Sequence, residues 1–264
     1  MNPYLLQAPF SVAFSGGETS GYMLHEIIAA HGGNVPAGGL VLFANTGLEH
    51  EETLKFVKRV GDEWAVQIVW LEYGGQKSVR VVDFESASRN GEPMDLIIRE
   101  RGYLPNPRAR ICTVELKMRT MIRYIKSQGW TEWESAIGLR ADEANRAKRL
   151  KGDCKGELAV APMYEAGETL ADVEAFWSRQ PFRLGIDRWM GNCVGCFLKA
   201  RRKIDRLALE APESLDWWVQ AEERQGKPFR IDRPTYYQIR NQVQEQRMLF
   251  GDEDEPDMPC RCHE

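Results

Sequence analysis

Two glycines set between a short apolar run and an amphipathic one constrain this chain more than any other feature. In Ser-Val-Ala-Phe-Ser-Gly-Gly-Glu-Thr-Ser-Gly, residues 11–21, Val12, Ala13 and Phe14 read as a short buried strand. Gly16 and Gly17 permit backbone angles that other residues resist, and Thr19 or Ser20 is placed to cap a helix. Met23, Leu24, Ile27 and Ile28 then recur at helical spacing, which predicts that helix over 21–30 with one face on a sheet. A strand, a tight turn and a helix start leave unpaired backbone N–H groups pointing outward, and such a start attracts phosphate or pyrophosphate. The spacing excludes the Walker pattern, which needs Gly-Lys-Ser or Gly-Lys-Thr, and the dinucleotide fingerprint with its third glycine. A glycine turn before an ordinary helix has the same local character, so the stretch gains meaning from the rest of the chain.

Residues 40–44 form a continuous apolar run, the pattern of a strand buried on both faces in a parallel sheet. Asn45, Thr46 and Gly47 fall at its C-terminal end, where open α/β sheets build ligand sites. Residues 49–52 give an acidic first turn to a helix carrying Leu54, Phe56, Val57 and Val60, and 66–71 and 135–139 read as further strands. The alternation predicts an α/β fold with a doubly wound, mostly parallel sheet. A chain of 264 residues can bury one full core and a small accessory region. The expected division is a nucleotide-binding α/β domain over 1–160 and a helical region over 161–264, packed on the first and contributing cysteine ligands.

From 99 to 126 the sequence turns basic against a net charge of −4 for the whole chain. Pro105 and Pro107 make 103–111 a loop, and 114–125 has the pattern of a helix with Leu116, Met121, Ile122 and Ile125 inward. Arg119 and Lys126 suit a solvated face, whereas Arg108, Arg110 and Lys117 flank Cys112 and are candidates for phosphate or sulfate contacts. At the end of the 135–139 strand stands Gly138-Leu139-Arg140-Ala141-Asp142-Glu143, with Arg146 beyond. An arginine there can grip a phosphate bidentately while Asp142 and Glu143 fix the loop or the arginine. A helix is expected over 169–179, its Val173, Phe176 and Trp177 packing; Trp217, Trp218, Tyr236 and Tyr237 suit a small helical core.

Six cysteines, Cys112, Cys154, Cys193, Cys196, Cys260 and Cys262, occur without an export signal, so a reducing, cytoplasmic setting with thiols free for metals or catalysis is expected. No apolar run approaches membrane-spanning length, and no membrane partner is expected. Cys193-Val-Gly-Cys196 can bind one metal without strain but supplies half a tetrahedral set. The other ligands must come from Cys112, Cys154, Cys260 or Cys262.

Taken together these motifs resemble a known group. Ser-Gly-Gly-Glu-Thr-Ser resembles the PP-loop of the adenine-nucleotide alpha-hydrolases. Residues 45–53 are similar to the Asp-Thr-Gly and Glu-Thr that phosphoadenosine-phosphosulfate (PAPS) reductases carry after this strand, with Asn45 replacing the usual acid. Gly-x-Arg-x-Asp-Glu followed by an arginine resembles a signature of the same family, and 171–177 resembles its segment downstream of the core. The resemblance covers about residues 11–203. It implies an adenine-nucleotide alpha-hydrolase-like fold in which Ser15, Gly16, Gly17, Glu18, Thr19 and Ser20, with Asn45, Thr46, Asp142 and Glu143, hold ATP or an adenylyl sulfate, magnesium being a further candidate. Arg140 and Lys117 would act on the reacting phosphate or sulfate.

Adenylyl-sulfate reductases hold a 4Fe-4S cluster with a Cys-Cys pair and a later Cys-x-x-Cys. By that resemblance Cys112, Cys193 and Cys196 are cluster ligands; Thr113 replaces the second cysteine, and Cys262 in the tail is the expected substitute, with Cys154 and Cys260 open. PAPS reductases end in Glu-Cys-Gly-Leu-His with a catalytic cysteine, and Cys260 and His263 keep that spacing although Pro259 and Arg261 depart from it. Two reactions are expected from the resemblance. One is ATP-dependent adenylation and sulfur transfer to an anionic acceptor, a nucleic acid or a small molecule, from a sulfur donor. The other is reduction of an adenylyl sulfate through Cys260 and a thiol reductant. The intact Ser-Gly-Gly favours the first. A third reading is a non-catalytic binding protein whose thiolates hold structural zinc.

Overall fold

The computed structural model describes residues 2–150, 156–187 and 189–250. Strand β1 (Phe10–Ala13) runs into helix α1 (Glu18–Ala30), and the alternation continues through β2 (Gly39–Asn45), α2 (Glu51–Glu63), β3 (Ile68–Tyr73) and β4 (Val79–Val82). Helix α3 (Glu92–Arg101), a π-helix over Cys112–Arg119 and α4 (Thr120–Ser127) lead to β5 (Trp133–Ile137). Then come α5 (Ala144–Ala147), β6 (Glu157–Val160), α6 (Pro162–Glu165) and α7 (Leu170–Trp177), followed by α8 (Arg201–Glu210), α9 (Asp216–Gln225) and α10 (Tyr236–Phe250).

The strands lie in the order β4-β3-β2-β1-β5-β6, parallel throughout except for the antiparallel β3–β4 pair. The expected α/β, doubly wound, mostly parallel sheet is therefore present, with helices in the last part of the chain. Strand β1 pairs with β2 on one side and β5 on the other, Ala13 opposite both Leu42 and Ile137. Strand order reverses there, and the crevice beyond such a reversal is where open α/β sheets bind ligands. The glycine turn after β1 and the arginine motif after β5 are thus delivered side by side.

The continuous apolar run of β2 is buried on both faces. Val41 and Phe43 join a core with Phe14, Met23, Leu24 and Ile27, while Leu42 points the other way to Leu71, Ile125 and Trp133. Trp177 closes the first core, stacking on Trp64 and meeting Phe56 edge to face. Gly21 makes this possible, because a Cβ there would stand 2.7 Å from the Trp177 ring. Burying an indole of about 200 Å² contributes roughly 5 kcal/mol before ordering costs. A third cluster joins Ile97 and Leu116 to Phe197, Ile204, Trp218, Phe229 and Tyr236, with Trp217 partly buried against it; Tyr237, expected in this core, is half exposed because it faces away from the cluster.

Three local expectations change. The helix expected over 114–125 starts at Cys112 and is a π-helix as far as Arg119. Within it Glu115, 4% exposed, accepts from Arg101, from Arg119 at 2.5 Å and from Arg123 at 3.3 Å, while the Thr120 hydroxyl donates to the Glu115 carbonyl at 2.9 Å. Arg119 is consequently tied to a buried carboxylate rather than simply solvated. The β4 and β6 edges, four residues each and only half-buried, are too short to stand out, β4 being broken by Arg80 and β6 opening on Glu157. Helix α1 has Gly17 at its cap position and no side-chain cap, so neither Thr19 nor Ser20 plays that part. Among the described residues, no helix is long and apolar enough to cross a membrane.

Candidate functional site

The loop after β1 is shaped by contacts that admit only glycine. Gly16 has φ +74°, and a Cβ there would lie 2.7 Å from Thr53 Cγ2 and 3.0 Å from Val57 Cγ2. The Ser20 hydroxyl donates to the Gly17 carbonyl at 2.9 Å and accepts from the Ser15 amide at 3.1 Å; the Ser15 hydroxyl lies 2.9 Å from it. These bonds curl the loop so that the uncapped start of α1 faces a cavity of about 380 Å³.

That cavity gathers three separate sequence motifs. Ser15, Gly17, Glu18 and Thr19 line it from the loop; Gly138, Arg140, Glu143 and Arg146 from the end of β5; Arg183, Gly191 and Asn192 from the later chain. Arg140 donates through Nε and Nη2 to the two Asp142 oxygens at 2.9 and 3.1 Å, and through Nη1 to Thr19 Oγ1 at 3.1 Å. Glu143 lies 3.3 Å from the same guanidinium. The Asp142 bond holds the guanidinium above its ordinary range, and Arg140 holds Asp142 below the usual carboxylate range. The later chain is stitched to the loop at both ends: Trp177 Nε1 donates to the Glu18 carbonyl at 2.8 Å, and Asn192 Nδ2 to the Ser15 carbonyl at 2.9 Å.

Asn45 and Thr46 lie elsewhere. Asn45 is fully enclosed, donating to Glu72 Oε1 at 2.7 Å and to the Ser88 carbonyl at 2.8 Å while accepting from the Gly47 amide. Thr46 gives its amide and hydroxyl to the Glu49 carboxylate. Both build the turn between β2 and α2, and that turn carries the second centre.

There, residues 48–50 pair antiparallel with 192–194: His50 N donates to the Asn192 carbonyl at 2.7 Å and Val194 N to the Leu48 carbonyl at 3.1 Å. The pairing sets Cys193 beside Glu49, whose carboxylate is fully enclosed and takes Lys117 Nζ at 3.2 Å. The Cys193 and Cys196 thiols hydrogen-bond each other. Cys196 is lowered to about 6, first by that bond, against burial, and then by the Leu198 backbone N–H, Lys199 and Lys117; Cys193 is pushed well above its ordinary value by the same bond and by burial. Burial and the neighbouring Cys196 raise Cys112. Burial works against the Lys117 ammonium, yet Glu49 and Cys193 hold it above its usual range, while burial lowers Lys199. The loop rests on the aromatic cluster: Tyr236 donates to the Gly195 carbonyl at 2.5 Å, and a Cβ on Gly195 would stand 2.1 Å from Trp218 Nε1.

Three half-buried thiols beside two lysines form a donor set of the right chemistry for iron-sulfur or zinc. Among the described residues, however, no three Cys, His, Asp or Glu side chains converge as a metal-binding group. The other expected thiols, Cys154, Cys260 and Cys262, and His263 with them, lie outside the described residues. Sequence reasoning missed Glu49, Asn192 and Arg183. Asn192 beside the cysteine pair gave a signal; Arg183 gave none, because one arginine in a loop looks like any other.

No protein-family model matches the chain. It is 31% identical over 219 residues to the uncharacterized nin region protein ORF290 of Escherichia phage lambda, covering 77% of this chain and 70% of that one. It is 25% identical over 225 residues to the uncharacterized protein MJ0066 of Methanocaldococcus jannaschii, covering 81% of this chain but 41% of that longer protein. Solved structures with some likeness include a PAPS reductase from Candida auris in a phosphate complex, at 15% identity and TM-score 0.37, covering 64% of this chain and 70% of the other. Another is the U34-tRNA thiolase NcsA from Methanococcus maripaludis with its [4Fe-4S] cluster, at 14% identity and TM-score 0.44, covering 98% and 78%. Both scores lie below 0.5, and the fold assignment stands on this chain's own strand order.

Proposed function

The chain belongs to the family of the phage lambda nin region protein ORF290, and from that premise we propose that it is a PP-loop enzyme of the PAPS reductase type, binding an adenine nucleotide and working in sulfur chemistry. The observation that carries this reading is the meeting, around one cavity, of the uncapped start of α1 with the arginine motif after β5. Backbone N–H groups at 17–20 would cradle a pyrophosphate, with magnesium as its counter-ion. Arg140, fixed by Asp142 and Glu143, keeps its charge over Thr19 at the same place.

The lead reaction is adenylation followed by sulfur transfer. An acceptor oxygen bonds to the α-phosphorus, the bond from that phosphorus to the bridging oxygen breaks, and pyrophosphate leaves. A sulfur nucleophile then bonds to the acceptor carbon, and AMP departs with the oxygen. Lys117, placed by Glu49, would keep a positive charge beside the thiols and the incoming anion. Cys112, Cys193 and Cys196, with Cys262 from the tail, would hold a 4Fe-4S cluster, which with every iron ligated by thiolate would supply electrons rather than an open iron. Free thiols suit a reducing compartment such as the cytoplasm.

A nucleotide panel tests the reading: anaerobically purified protein with ATP and the two adenylyl sulfates, pyrophosphate and sulfite assayed separately. ATP binding, with pyrophosphate release once an acceptor is supplied, is expected, and Arg140→Ala should impair it. Sulfite release that depends on Cys260 and a thiol reductant, and is indifferent to ATP, would install the reductase instead. Zinc in place of iron on metal analysis, with no response to any nucleotide, would install the structural reading.

A further inference from the structure

We propose that Arg183 is the cation that takes the pyrophosphate end of the ligand in this pocket and that Glu18 occupies it until the ligand arrives; this rests on the nucleotide reading above. Among the described lining residues stand three arginines, Arg140, Arg146 and Arg183, and three carboxylates, Glu18, Glu143 and Asp187. Their formal charges cancel, so apart from the helix start the pocket's cations are already matched by carboxylates. An anion frees one of these arginines by exchanging with its carboxylate.

The three arginines differ in how freely they can exchange. Arg140 is 17% exposed and held by Asp142, Thr19 and Glu143, so moving it would break its hold on the loop. Arg146 meets Glu143 through one nitrogen and is two-thirds exposed, so it offers a single, solvent-screened contact. Arg183 is half exposed and donates through Nε and Nη2 to the two Glu18 oxygens at 2.9 and 3.1 Å. That fork is the geometry a guanidinium also offers phosphate, so one partner can replace the other without rebuilding the donor.

The surroundings make the exchange a side-chain event. Phe182 and Leu184, on either side of Arg183, pack in the first core, so the backbone near Arg183 is already in place. Glu18 is the first residue of α1, and a carboxylate released there remains at the positive end of a helix. Its own backbone N–H belongs to the uncapped start that would hold the phosphates. Arg183 therefore reaches the same spot as those amides and selects for ligands carrying a pyrophosphate over a nucleoside monophosphate.

Calorimetric titration of inorganic pyrophosphate, ATP and AMP into the full chain tests this, with wild type beside Arg183→Ala, Arg183→Lys and Glu18→Gln. Arg183→Ala should weaken pyrophosphate and ATP roughly tenfold and AMP less than about twofold, as loss of one bidentate, charge-assisted contact at the pyrophosphate end requires. Arg183→Lys should fall between, having the charge but not the fork. Glu18→Gln should tighten pyrophosphate several-fold, because the competitor is gone. Ligand-free melting of each variant establishes that it is folded. If Arg183→Ala binds pyrophosphate like wild type, or if Glu18→Gln weakens binding as Arg183→Ala does, the pair is a brace and the inference fails. Wild-type protein that binds neither pyrophosphate nor ATP would remove the nucleotide reading itself, and Arg183's role with it.

Discussion

The pocket and the cysteine centre share one turn of chain at 191–196, yet they hold their charges in opposite ways. Around the pocket the ion pairs reach solvent: Arg183 with Glu18, Arg146 with Glu143, Arg140 with a half-exposed Asp142. Such pairs contribute about 0–1 kcal/mol each, and the Arg183–Glu18 pair can be exchanged for a ligand cheaply. At the cysteine centre the Glu49 carboxylate has no exposure, and its partner Lys117 sits among thiols. Stranding a buried charge costs about 3–5 kcal/mol, so this centre resists exchange and instead sets which thiol is ionised. One region is built to swap partners, the other to hold protonation states fixed.

The largest effect that bears on this contrast is all or none. Cys193→Ser and Cys196→Ser should each abolish iron binding, since the remaining described thiols cannot complete a site, and Cys112→Ser should behave likewise. Cys154→Ser should not. Iron content and absorption after anaerobic purification measure this, and full iron retention in both variants of the pair would sink the cluster. The nucleotide pocket should be indifferent to all four changes.

Two glycines sharpen the division. Gly16→Ala puts a Cβ 2.7 Å from Thr53 at a positive φ, and Gly195→Ala puts one 2.1 Å from Trp218, whose ring is held by Phe229 and Tyr236. Each should cost about 2–4 kcal/mol in denaturant unfolding. Their functional losses should be complementary: Gly16→Ala loses nucleotide binding and keeps iron, and Gly195→Ala does the reverse. If either loses both, the shared turn couples the regions more tightly than the separate ion pairs suggest.

How much of this was legible depends on which physics writes itself into sequence. The turn at 15–20 was, because positive φ and close approach leave glycines behind, and so were the apolar run of β2 and the arginine motif after β5. The π-helix at Cys112–Arg119 was not: the apolar positions from Leu116 to Ile125 satisfy an ordinary helical period, and nothing in that pattern marks the wider winding of its first half. Glu49 reads as one more acid in a helix's first turn, whereas it precedes α2 and is buried against Thr46 and Lys117. Asn45, read as a ligand residue from its place at a strand end, spends its side chain on Glu72, Ser88 and Gly47. Polar residues that serve the fold and those that serve a ligand look alike until their partners are known.

The smallest effect tests the protonation side of the contrast. In metal-free protein the Cys196 thiol is lowered to about 6, chiefly by the hydrogen bond from Cys193, so its alkylation rate should rise with a midpoint near pH 6. Cys193→Ala should move that midpoint up the most, and Lys199→Met by less, in the order of their contributions. Stability should respond weakly. A depressed thiol stabilises above its unfolded value and loses that contribution as pH falls through the folded one, but Cys193 is pushed the other way and opposes it. The pocket gives the internal control: Asp142 is held low by Arg140, so that pair's contribution is present above the usual carboxylate range and is lost only in acid. A midpoint at the ordinary thiol value, unmoved by Cys193→Ala, would mean that the cysteine centre holds its protons no differently from the surface around the pocket.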